Sequence, residues 1–184
     1  MTDVADPTMP PARPTLANYA VVYAVLIASI VTVVRIFGSE AQPTAPEALV
    51  PPLFAMLALT AAAWILMALL RNVMVALGKA SMRYYHTYVQ DSPAEWIERP
   101  ARTFNNLMQV PTLFYVVCLV AMTLGHVDTI QVRLAWLFVA FRVIHAFIML
   151  GWNFVPYRFA AYSAATIALA ALAIRVAEQC WPAR

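Results

Sequence analysis

Five long apolar runs, marked off by glycines and prolines, set the organisation of the chain. The first extends from about Leu16 to Phe37 and stops at Gly38, and the second is opened by Pro51 and Pro52 and stops at Gly78. The third begins near Pro100 and stops at Gly125, the fourth runs from near Thr129 to Gly151, and Pro156 opens a fifth that reaches about Gln179. Glycine ends helices in the left-handed conformation and proline is accepted in a helix's first turn, so these residues mark helix ends. Each run holds about 20 residues or more, enough to cross a hydrocarbon core about 30 Å thick at about 1.5 Å per residue. The pattern therefore predicts five transmembrane helices, with the four glycines closing the first four. Pro111, inside the third run, cannot donate to the carbonyl of Leu107 and predicts a kink there. Residues 1–15, which include four prolines, read as a disordered tail.

Composition agrees with the pattern. Of 184 residues, 63% are hydrophobic and 11% charged, whereas a soluble domain carries about a quarter charged residues and under half apolar ones. This is one membrane domain, not a secreted disulfide scaffold, a disordered chain or a nucleic-acid binder. The net charge of +3 does not change that reading, because the basic residues are scattered and several lie inside apolar runs. Ser39-Glu40-Ala41 offers a signal-cleavage site, but the first apolar stretch exceeds the roughly 7 to 15 residues of a signal peptide, and only Arg13 precedes it; an uncleaved anchor is expected. Cys118 is mid-helix and Cys180 on the far side, so no disulfide joins them.

Loop charge gives an orientation. The stretch from Ser39 to Val50 has Glu40 and Glu47 and no basic residue, while Gly78 to Arg102 contains Lys79, Arg83, Arg99 and Arg102. The positive-inside rule makes the second cytoplasmic, with the N-terminus inside and the C-terminus outside. Trp96, Trp152 and Trp181 fall at run ends, where interfacial tryptophans are expected.

Eleven of the twelve basic residues are arginines, and Arg71, Arg142 and Arg158 occupy membrane-embedded positions. The acids lie in tails and loops or, like Glu178, at a helix end, so no span carries an internal carboxylate. A buried arginine costs several kcal/mol unless paired or hydrated. The anion has two sources: the loop acids Asp91, Glu95 and Glu98, or a bound anionic ligand. Arg102, Asn106 and Gln109 are spaced i, i+4, i+7 and share one face of the third helix; Arg142, His145 and Met149 repeat that arrangement on the fourth, and Arg158 and Tyr162 are i, i+4 on the fifth. All three sets fall in the cytoplasmic half of the membrane. Blander readings stand beside this one. Arg35, Arg71, Arg133 and Arg175 can snorkel to headgroups, Asn106 and Gln109 can join helices by hydrogen bonds, and His145 can be a packing residue. His126 and Asp128 lack further ligands for a metal. Taken together, Arg102, Asn106, Gln109, Arg142 and Arg158 favour an anionic-ligand pocket.

These residues also carry a family resemblance. The segment ERPARTFNNLMQVPTLF, from Glu98 to Phe114, resembles the signature of the MAPEG family (membrane-associated proteins in eicosanoid and glutathione metabolism), approximately E-R-x-x-R-A-H-x-N-x-x-E. LFVAFRVIHAFIM resembles the family's next helix, with Arg142 and His145 in matching places, and VPYRFAAY the start of its last, with Arg158 and Tyr162 aligned. The resemblance covers residues 50–180 and leaves the helix at 16–37 without a counterpart. It implies an all-α integral membrane fold, a four-helix bundle plus one extra N-terminal transmembrane helix, assembled as a homotrimer with active sites between subunits in the cytoplasmic leaflet. It implies glutathione as co-substrate, no metal, and a lipophilic substrate entering from membrane lipid. Arg102 and Asn106 would hold glutathione, joined by Gln109, Arg142 and Tyr162; Arg158 would sit at the sulfur, and His145 and Met149 would line the pocket. A divergent, bacterial member in the inner membrane is expected.

The chain departs from the pattern at Gln109, where the family has Glu, at Phe104 in place of His, at Val110 where some members have Tyr, and at Met149 where a ligand-contacting Tyr is usual. Two functions follow as expectations: a glutathione transferase or peroxidase of lipophilic electrophiles or lipid hydroperoxides, and a non-catalytic lipid-binding or scaffold protein. A small transporter with an arginine-lined path is a third, without the inverted repeats that such proteins show.

Overall fold

A computed structural model of the protein describes residues 14–89 and 91–180. The expected tail falls almost entirely, and Trp181 wholly, outside the described residues. The chain forms α1 (Leu16–Phe37), a short strand β1 (Pro43–Thr44), a 3-10 turn (Pro46–Leu49), α2 (Val50–Ala76), α3 (Met82–Thr87), α4 (Glu95–Leu107), α5 (Val110–Leu124), a short strand β2 (Val127–Asp128), α6 (Thr129–Leu150) and α7 (Val155–Cys180). Among the described residues, five helical segments are long and apolar enough to span a membrane, with α4 and α5 together making the third. The expectation of an all-α, multi-pass membrane protein holds.

Two helix ends differ from expectation. Gly78 and Gly125 are left-handed, at φ +69° and +71°, but Gly38 and Gly151 both have φ −80°. After Gly151 the reversal is made by Asn153, at φ 51°, whose backbone N–H reaches the Ile148 carbonyl at 2.8 Å. Asparagine is among the few side chains that tolerate this conformation.

The third span also differs. It starts at Glu95, ahead of Pro100, which is absorbed inside α4. Glu95 and Glu98 are therefore helical residues rather than loop acids. Instead of kinking at Pro111, the span breaks at Met108 and Gln109, and α5 restarts with Pro111 in its first turn. The broken ladder is repaired locally: Thr112 Oγ1 donates to the Met108 carbonyl at 2.7 Å, as buried backbone in hydrocarbon requires.

Packing centres on α6 and α7, the most closely apposed pair, with α1 laid against α7 and, to a lesser extent, α6. Ala160, Ala161, Ala164, Ala165 and Ala168 are all buried on α7, and such small residues let backbones approach closely where lipid supplies no hydrophobic drive. Phe114 of α5 stacks on Phe138 of α6, ring centroids 4.5 Å apart, in a core shared with Met56, Leu134 and Leu172.

Polar clamps close both ends of the bundle. At the far end, β1 pairs antiparallel with β2, Pro43 opposite Asp128 and Thr44 opposite Val127. Asp128 caps α6 through Gln131 N at 2.9 Å and accepts from Arg175 Nη2 at 2.8 Å, so Arg175 is fixed to protein and does not snorkel. At the N-terminal end, Arg71 of α2 pairs with Glu98 of α4 at 3.0 Å and lies over the Tyr85 ring, 4.8 Å from its centroid. Burial, and then the nearby Glu98, hold the Tyr85 phenol above its ordinary range, so it meets Arg71 as a neutral ring. Arg71 thus also has a protein partner in place of headgroups. Arg71→Ala leaves the Glu98 carboxylate, 10% exposed, unpaired, and is expected to destabilise the fold by about 1–3 kcal/mol. Thermal unfolding in detergent checks this, with the Arg71→Ala/Glu98→Gln double variant recovering part of the loss.

Candidate functional site

The helix ends at the N-terminal end of the bundle bring four of the sequence-predicted residues into one cavity. Asn106 from α4, His145 from α6, and Arg158 and Tyr162 from α7 line a space of about 200 Å³, together with Val155 and Phe159. His145 Nδ1 donates to the Arg158 carbonyl at 2.9 Å, which ties α6 to the first turn of α7, and its ring lies 5.7 Å from that of Tyr162.

Arg142 lies behind this cavity and is fully buried. Its Nη2 donates to the Asn106 side-chain oxygen at 2.7 Å and to the Asn106 carbonyl at 3.1 Å, and its guanidinium is 5.7 Å from the Tyr162 ring centroid. Among the described residues no carboxylate pairs with it, and Arg142 Nε and Nη1 and His145 Nε2 have no hydrogen-bond partner in the protein. Arg158 is held similarly: its Nη1 donates to Asn153 Oδ1 at 2.7 Å. Two cations at one end of the membrane are thus oriented by neutral amides. A guanidinium with open donors and uncancelled charge suits a carboxylate or a thiolate.

Other sequence-predicted residues lie elsewhere. The Arg102 side chain is 54% exposed and 3.6 Å from Glu95. It lines a separate cavity of about 350 Å³ against α2, with Arg71, Glu98 and Phe104. Gln109 does not share the Asn106 face, because the helix break intervenes; it is exposed and makes no side-chain cap. Met149 is buried and does not line the Arg158 cavity.

Glu95, expected only as a loop acid that could pair with an arginine, and Asn153, which the spacing did not single out, also shape the site. Glu95 accepts from Arg99 Nη2 at 3.2 Å and from Asn153 Nδ2 at 2.8 Å, while Arg99 Nη1 also donates to the Gly151 carbonyl. This network locks the α6–α7 turn onto the start of α4 and sets the position of Arg158. A signal was available in the Gly-Trp-Asn turn, since asparagine beside a helix-ending glycine is a left-handed candidate.

A family model described as the MAPEG family matches residues 53–177, which takes in every residue lining the Arg158 cavity and leaves out α1. No curated protein and no solved structure matches the chain.

Asn153→Gly keeps the left-handed turn and removes the Arg158 and Glu95 contacts. Its melting temperature should stay closer to wild type than that of Asn153→Val, where a β-branched residue at φ 51° adds about 1–3 kcal/mol of strain. Thermal unfolding of the two variants side by side reads the difference.

Proposed function

The chain belongs to the MAPEG family, and from that premise we propose that it is a membrane-embedded, glutathione-dependent transferase or peroxidase. Its substrates on this reading are lipophilic electrophiles or lipid hydroperoxides. The observation that carries the reading is the pair of arginines, Arg158 lining one cavity and Arg142 behind it, oriented by asparagines and without carboxylate partners among the described residues.

Glutathione has two carboxylates and one ammonium, and ionising its thiol adds a further negative charge. Arg158 next to the sulfur favours thiolate over thiol, and the thiolate is the nucleophile. The thiol proton passes to water; the sulfur then forms a bond to the electrophilic carbon while the displaced electron pair leaves with the leaving group. Arg142 adds positive potential from behind the Asn106 amide, and Tyr162 lends an aromatic wall and a hydroxyl. These residues fit the tripeptide's charge pattern without any metal.

A homotrimer fits the division of the site. Arg102 and Asn106, which the family pattern places on one ligand, line two cavities here, one against α2 and the other against α6 and α7. A ligand seated between neighbouring copies brings the Arg102 side of one subunit to the Arg158 side of the next. Loop charge supports a cytoplasmic N-terminus; on this reading the protein sits in a bacterial inner membrane, and the polar thiol arrives from the cytoplasm and the lipophilic partner from the bilayer.

A non-catalytic lipid-binding or scaffold role is the second reading, favoured by Gln109, which is exposed, does not line the cavity and carries no charge for the ammonium. A thermal-shift titration separates the two: stabilisation at millimolar glutathione is expected of the enzyme and its absence of the scaffold, since ligand bound to the folded state raises apparent stability. In the purified protein, Arg158→Ala is expected to lower glutathione-dependent conjugation by about 100-fold or more, with Arg158→Lys in between. Equal rates in wild type and Arg158→Ala would remove the assignment.

A further inference from the structure

The helix outside the family match builds a further cavity. Between α1 and the start of α7 lies a groove of about 610 Å³, within the roughly 300–1,000 Å³ of small-molecule sites. Tyr19, Val22, Tyr23 and Leu26 of α1 form one wall, and Phe154 and Pro156 belong to the other. The Asn18–Tyr157 hydrogen bond, 2.9 Å, pins α1 at this height. The groove shares Val155 and Phe159 with the Arg158 cavity. Asn153, which holds Arg158, also lies in its wall.

We propose that this α1–α7 groove seats the hydrocarbon body of the lipophilic co-substrate, a single-chain amphiphile whose reactive carbon reaches past Val155 and Phe159 to the sulfur at Arg158. The proposal rests on the glutathione reading above. Three features select this occupant. Both walls are membrane-spanning helices, so a ligand enters from lipid. The α1 wall from Tyr19 to Leu26 is about 10 Å long, too short to seat another transmembrane helix, which needs about 20 residues of face. Apart from the phenol hydroxyls of Tyr19 and Tyr23, the polar side chain in the lining is Asn153, which holds Arg158 of the adjoining cavity, as an amphiphile with its polar terminus toward Arg158 requires.

Two conjugated aldehydes of equal reactivity and different length test it: trans-2-hexenal and trans-2-hexadecenal. With either, the thiolate sulfur bonds to the β-carbon, the alkene electron pair moves onto the carbonyl, and the resulting enolate takes a proton from water at the α-carbon. Val22→Trp and, separately, Leu26→Trp fill the groove. Each is expected to lower kcat/KM for the sixteen-carbon aldehyde at least tenfold, leaving the six-carbon aldehyde and the KM for glutathione within twofold. Equal losses on both aldehydes, or no loss on either, overturn the proposal. Photolabelling with a diazirine-bearing palmitate needs no turnover. Label at Tyr19, Tyr23 or Phe159 that disappears in Val22→Trp supports the groove, even in a protein that fails to turn over glutathione, where only the glutathione reading falls. Label spread evenly over lipid-facing residues such as Leu57, Leu69 and Val116 reports annular lipid alone and overturns it.

Discussion

A guanidinium in hydrocarbon must find its partners inside the protein, and the arrangement of this bundle follows from how each arginine meets that demand. Arg71, Arg99 and Arg175 meet it with carboxylates. Each of these pairs joins two elements or steadies a helix end, so it acts as a clamp in a setting where apolar packing alone gives no preference for helix against lipid. Arg142 and Arg158 meet it with amides. The acids are disposed accordingly: Glu95 and Glu98 sit on the first turns of α4, at the membrane end where the clamps are needed, and among the described residues no acid lines the Arg158 cavity.

Backbone irregularities set the rest of the geometry. The break at Met108 and Gln109 stops the polar face of α4 at Asn106, so the residue one turn further on leaves the site. The left-handed Asn153 turns α6 back into α7 and presents its own side chain to Arg158. Alanines on α7 then bring α6 close enough for His145 to reach the Arg158 carbonyl. Three unrelated local features thus converge on one cavity.

Much of this was legible in the sequence. Glycine and proline punctuation located the five spans because a membrane helix has few other ways to begin or end, and the spacings of Arg142 with His145 and of Arg158 with Tyr162 survived because α6 and α7 are unbroken. Gln109 leaves the face it was expected to share because the helix breaks at Met108 and Gln109, whereas Arg102 and Asn106 stay on unbroken α4 and differ in the neighbours they meet, α2 for Arg102 and α6 with α7 for Asn106. Pro100 reads as a helix start and so puts Glu95 in a loop, but proline marks a first turn often and not always, and α4 begins at Glu95. The hydrogen bond between Asn153 and Glu95 joins segments 58 residues apart, which no local pattern encodes.

The choice of amide over carboxylate at the two site arginines has a physical consequence. A carboxylate at 2.7 Å would orient a guanidinium firmly but cancel most of its field, and an incoming anion would have to displace or share it. An amide oxygen at the same distance fixes the fork through a dipole and leaves the net charge in place. The cost is a cation of low solvation, which burial in a bundle of modest size makes larger for Arg142 than for Arg158. That imbalance matches the positions of the two: Arg142 is held by both oxygens of Asn106 and faces Tyr162, whereas Arg158 has a single amide contact and a half-buried side chain lining the cavity itself. On the proposed glutathione reading, the better-held arginine supplies a fixed potential, and the less restrained one remains able to follow a charge that develops on the ligand.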